Sequence, residues 1–88
     1  RPQFSTGEKL IINGRCEMGG YIEAEIVDAM ENEWKGYTRT DCDRFTGDEV
    51  NHTVSWNGNS AVNTIVGYTR FRFYMQKAEL YSYRIADQ

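Results

Sequence analysis

An all-β domain, an antiparallel two-sheet β-sandwich of jelly-roll or lectin-like type, is expected from three observations. Apolar residues recur at every second position in two separate stretches, Ile22-Glu23-Ala24-Glu25-Ile26 and Phe71-Arg72-Phe73-Tyr74-Met75. That period belongs to a half-buried strand, whose successive side chains point to opposite faces. Aromatic residues make up 14% of the chain, which suits a pleated surface. Turn signals then punctuate the chain at short intervals, among them Asn13-Gly14, Gly19-Gly20 and Asn57-Gly58.

Each element follows from local pattern. Residues 9–13 read as a strand with Leu10 and Ile12 on one face, and Asn13-Gly14 breaks it. Residues 21–28 form the clearest strand: Ile22, Ala24 and Ile26 face inward, Glu23 and Glu25 face water. A helix over 21–33 is the rival, supported by Ala24, Val27, Ala29 and Met30, but Gly19-Gly20 is a poor helix start. Residues 29–35 are a polar connection that carries Trp34, 36–40 a short strand, and 41–48 an acidic loop. Residues 52–56 alternate again, with Val54 and Trp56 inward. Residues 61–66 suit a helical turn, a short strand or an irregular bridge. Residues 68–76 are a strong strand, Gln76-Lys77 a tight corner, and 78–85 a final strand that pairs back. The expected core is Leu10, Ile12, Ile22, Ala24, Ile26, Val54, Trp56, Phe71, Phe73, Met75 and Leu80.

Bulk properties narrow the function. At 88 residues the chain is one domain, 1–88, with a small core and a thin stability margin. Ten basic residues are scattered among thirteen acidic ones, for a net charge of −3. Without a basic stripe, neither nucleic acid nor an anionic membrane surface is an expected partner. No apolar run reaches the length of a membrane span. No signal peptide is evident, and Arg1-Pro2 suggests a segment excised from a larger chain. Cys16 and Cys42 are compatible with one bridge or with two buried free thiols.

Motifs for catalysis are missing: there is no HExxH, no phosphate-cradling glycine loop and no Ser/His/Asp order. The single histidine, His52, lies beside a strand, and Cys42 sits between two aspartates that oppose thiolate formation. The domain is therefore expected not to be an enzyme by itself. Asp41, Asp43, Asp48 and Glu49 supply oxygen ligands of the kind calcium takes, but at no calcium-loop spacing. Turn capping by these aspartates is the favoured reading, so no metal or cofactor is expected and calcium is the weaker alternative. Carbohydrate is the candidate ligand. A sugar ring needs an aromatic face and polar groups for its hydroxyls. Trp34, Tyr37, Tyr74 and Tyr81 supply rings, and Asp41 and Asp48 supply acceptors. Trp34 suits equally well the closing of one end of a small sandwich. Arg70 and Arg72 are expected on a solvated face, paired with Glu23 and Glu25 across the sheet.

Residues 10–13 and 20–28, Gly36-Tyr37-Thr38, Asp41-Cys42-Asp43, Gly47-Asp48, Val54-Ser55-Trp56, Arg70-Phe71-Arg72-Phe73 and Leu80-Tyr81-Ser82-Tyr83 carry, in that order, a resemblance over nearly the whole chain. It resembles the C-terminal β-sandwich accessory domain of glycoside hydrolase family 32-like bacterial proteins. In those proteins a propeller carries any catalysis, and the sandwich packs beside it. The resemblance implies a non-catalytic accessory domain of a carbohydrate-active enzyme. Its implied partners are carbohydrate and the neighbouring catalytic domain, and its setting is secreted or extracytoplasmic through the parent chain. The alternative is a purely structural module that orients that neighbour. The charged segment 29–35 and Cys16 depart from the pattern, and no binding residue transfers.

Overall fold

A computed structural model describes residues 8–62 and 69–86. The described residues are mostly strand and contain no helix. They form β1 (Lys9–Asp28), β2 (Asp48–Thr53) and β3 (Thr69–Ala86), a single antiparallel sheet in the order β2-β1-β3. The helical rival for 21–33 is thus set aside, since residues 21–28 are strand and pair with residues 69–76.

Two expected breaks turn out to be bends within long strands. Asn13-Gly14 is a register shift inside β1, not its end. Residues 78–85 do not pair back on 69–76; they continue β3 and pair with residues 10–16 of β1. Gln76-Lys77 is still a corner, because Lys77 takes the left-handed φ of 47°. Facing it, residues 17–20 of β1 lie between the pairs Cys16↔Ala78 and Tyr21↔Gln76, so four residues oppose one. Such an insertion bends a sheet sharply.

The sharpness of that bend is measurable. Phe71 and Tyr83 are twelve residues apart on one strand, ~40 Å if straight. Their ring centroids are 5.9 Å apart, and Phe73 lies 5.1 Å from the same tyrosine. The ribbon therefore folds over, and its two halves share one interior. Leu10 and Ile12 from one half meet Ile22, Ala24 and Ile26 from the other in a single cluster. Tyr37, Phe45, Val54, Trp56 and Val62 complete it. Expected core residues are found there with one exception: Met75, at the rim of the bend, is 47% exposed.

Beyond β2, the other edge of β1 is closed along residues 22–26 by irregular chain. Trp34 N–H donates to Ile26 O (3.1 Å), and Ile26 N–H to Tyr37 O (3.0 Å). Ile22 and Phe45 exchange both backbone bonds, at 2.8 and 3.0 Å. Ala24 N–H donates to the Cys42 sulfur at 3.3 Å, so a thiol fills a gap in the ladder. Residues 36–40, expected as a short strand, form turns instead. Gly36 there has a φ of 88°, which side-chain-bearing residues rarely adopt. Of the ambiguous segment 61–66, Ala61 bridges Lys9 and Val62 is buried; residues 63–66 lie outside the described residues, as does Tyr68.

Candidate functional site

The main departure from sequence expectation lies on the outer face of the sheet. Glu23 and Glu25 were expected to face water, yet they are 8% and 2% exposed. The 36–40 turns and the acidic loop after them supply the cover. Arg39 Nε donates to Glu23 Oε1 at 2.8 Å, and Arg44 Nε to Glu23 Oε2 at 3.0 Å. Each guanidinium also lies on a tyrosine ring: Arg39 is 4.2 Å from the centroid of Tyr74, Arg44 4.1 Å from that of Tyr21. These are cation–π distances. Tyr21 OH accepts from Arg39 at 3.2 Å. The Tyr74 hydroxyl donates to Glu25 Oε1, while Glu25 Oε2 is buried without a partner.

Arg70 and Arg72 also depart from expectation. Arg72 is the register partner of Glu25, but its guanidinium bonds Glu31 at 2.6 Å, and Arg70 reaches the same carboxylate at 3.5 Å. Glu31, at a φ of 67° in the turn after β1, carries its carboxylate to both arginines.

The electrostatics follow from this geometry. Burial pushes the Glu23 carboxyl up, but the hydrogen bonds and charges of Arg39 and Arg44 outweigh it and hold the group below its usual range. The hydrogen bond to Glu25 raises the Tyr74 hydroxyl, with burial adding to it. A depressed carboxyl stabilises the fold above its unfolded pKa, and that contribution is lost as pH falls through the folded value. Glu23→Gln is therefore expected to flatten the stability profile below about pH 4. It should also cost ~1–2 kcal/mol at neutral pH, near the low end for charged hydrogen bonds because both arginines are about half exposed. Urea midpoints measured from pH 2.5 to 7 check this; parallel profiles for the two proteins would refute it.

The six residues read from sequence as sugar contacts divide among three places. Trp34 and Tyr37 are adjacent along the β1 edge, with Tyr37 N–H donating to Trp34 O at 2.9 Å. Tyr37 is buried, edge-on to Trp56 at 5.2 Å, and its hydroxyl donates to Ala61 O at 2.7 Å. Trp34 is half-buried against the core, and its Nε1 is enclosed without an acceptor. Asp41 caps the same turn through Thr38 Oγ1 (2.9 Å) and Thr38 N–H (3.2 Å), bonds that hold its carboxyl low. Tyr74 belongs to the arginine cluster on the outer face. Asp48 and Tyr81 lie on the other half-sheet, flanking Arg15: Asp48 is its partner on β2, and Tyr81 bonds Glu79, its partner on β3, at 2.7 Å.

The neighbouring acid Asp43 is likewise committed to structure. Its Oδ2 accepts from Ser55 Oγ at 2.6 Å and Gly58 N–H at 2.8 Å, which keeps its carboxyl low. These bonds support the turn-capping reading of the acidic loop. Cys16 and Cys42 are free thiols. Burial raises both, with Asp48 adding to it at Cys16 and Glu23 and Asp43 at Cys42. His52 stacks on Phe45 at 4.3 Å, and burial lowers its pKa against the opposing pull of Glu49.

Sequence reasoning missed Arg39, Arg44 and Tyr21 altogether. The one available signal was two arginines five residues apart, one just before the acidic loop and one inside it, where nothing local calls for cations. No family model, curated protein or solved structure matches the chain.

Proposed function

We propose that this chain is a non-catalytic accessory domain of a carbohydrate-active enzyme, its folded-over sheet serving as a small two-layer sandwich. In this reading the outer-face cluster of Tyr21, Arg39, Arg44 and Tyr74 contacts glycan. The observation that carries the binding clause is the pair of guanidiniums held over tyrosine rings, 4.2 and 4.1 Å from the ring centroids. Their side chains are 42% and 53% exposed, and each spends only part of its donor set on the fold. An arginine fork has five donors, enough to hold Glu23 and still meet hydroxyls or a carboxylate. The resemblance in motif order adds the enzyme context and the extracytoplasmic setting. Raised thiols resist oxidation, because the thiolate is the reactive form; two free cysteines are therefore compatible with that setting.

A glycan array probed with the 88-residue chain tests this, with Arg44→Ala and Trp34→Ala alongside. Binding to a defined glycan that drops at least tenfold in Arg44→Ala, measured well below that variant's melting midpoint because Arg44 also holds Glu23, is the expected result. Loss in Trp34→Ala alone would move the contact to the β1 edge. Equal, weak signals across all sugars would remove the carbohydrate clause.

A further inference from the structure

β3 is the outermost strand on its side of the sheet, and among the described residues no segment pairs with its outer edge. The edge is long, at eighteen residues. An open edge of that length is a template for another strand. The interior is also incompletely covered beside it. Phe71, Phe73, Leu80 and Ile85 pack on the core but are only partly buried, and Tyr83 is 52% exposed.

We propose that this edge pairs with the same edge of a second copy of the chain. The two β3 strands run antiparallel about a twofold axis at Met75, which faces its own copy, and Lys77 of each strand bulges out of the pairing, as its left-handed φ of 47° allows. This register sets Arg72 opposite Glu79 of the second copy, twice over. It also sets Phe71 opposite Leu80, Phe73 opposite Ala78, and Arg70 opposite Tyr81. The faces agree: Phe71, Phe73, Ala78 and Leu80 all pack toward the interior. A register centred on Lys77 would instead oppose Arg70 to Arg84, a like-charge pair that a sheet disfavours. Charge complementarity thus favours the first of these two registers. The bends at Lys77 of the two copies then do not face each other, so each half-sheet extends the other copy's opposite half. The two open mouths meet, and the contact is isologous, the commonest form of association between identical chains. Arg72 keeps its bond to Glu31 and is 38% exposed, so donors remain for Glu79 of the second copy.

Sedimentation velocity of the 88-residue chain, from micromolar to near-millimolar concentration, tests the proposal. A monomer–dimer equilibrium is expected. Glu79→Arg and Arg72→Glu should each weaken it at least tenfold, and the double exchange should recover most of that loss. Circular dichroism verifies folding of each variant. Should Arg72→Glu not fold, a cycle of Arg72→Ala, Glu79→Ala and the double alanine variant reads the same coupling. A monomer at every concentration overturns the proposal, and so does a dimer indifferent to Glu79→Arg. Absence of coupling between the two positions overturns it as well. Association only with a separate domain of different sequence would leave this chain monomeric and counts against it.

Discussion

Trp56→Ala should cost ~4–6 kcal/mol, enough to leave a domain of this size largely unfolded at 37 °C. Trp56 is 1% exposed, the largest side chain that is fully enclosed. It sits where the two halves of the ribbon meet the chain that follows β2. Tyr37 packs edge-on against it, and its Nε1 donates to Ala24 O at 3.0 Å. Truncation removes the ring, leaves a cavity, and strands a carbonyl of the central strand. Trp56→Phe separates these terms. It keeps most of the packing and loses the hydrogen bond, so its cost should be about 1–3 kcal/mol. Urea unfolding followed by far-ultraviolet circular dichroism gives both values. Equal costs for the two substitutions would show that the hydrogen bond dominates and the packing account is wrong.

Gly20→Ala is expected to be nearly as damaging, for a different reason. A Cβ at Gly20 would overlap the carbonyl oxygens of Lys77 and Gln76, the latter at 2.6 Å, and would touch Glu17 O at 3.0 Å. All three are backbone atoms, two of them in the facing corner, and no rotamer change moves them. Relief requires separating β1 from β3 at the bend on which the shared interior depends. Overpacking usually costs ~1–3 kcal/mol, and a site with backbone on every side belongs at or above the top of that range. Gly19 is the internal comparison. Its φ is 82°, but a Cβ there meets nothing within 4 Å. Gly19→Ala should therefore cost only the left-handed penalty of ~1–2 kcal/mol. Thermal melts of the two variants rank them; a Gly19→Ala variant as unstable as Gly20→Ala would mean that conformation, not close approach, governs the corner.

The two glycines also mark how far sequence could lead. The period-two pattern at Ile22, Ala24 and Ile26, and at Phe71 and Phe73, correctly gave extended chain and its inward face. Trp56 was correctly read as core. Asn13-Gly14, Gly19-Gly20 and Gln76-Lys77 were correctly marked as places where the chain deviates. What the pattern could not reveal is whether a deviation ends a strand or bends it. That depends on the partner: Gly20 is needed because Lys77, 57 positions later, lies against it. The outer face failed for the same reason. Alternation assigned Glu23 and Glu25 to solvent, since polar residues opposite an apolar face usually are exposed. Their burial depends on Arg39 and Arg44, carried in by a loop whose path no local signal records. Trp34 was left between two readings, and its half-buried ring with an enclosed Nε1 lies between them in space as well.

The position of β1 has a kinetic consequence. It is made first, yet it is the central strand, and both its neighbours come later in the chain. Lys9 must wait for Ala86, so the chain has to leave the ribosome through the end of β3 before the ladder can close. Pairings this remote in sequence place a domain among slow folders, ~milliseconds to seconds. Throughout that delay the nascent Leu10-Ile11-Ile12 run is unshielded, which makes it the segment on which a chaperone would act.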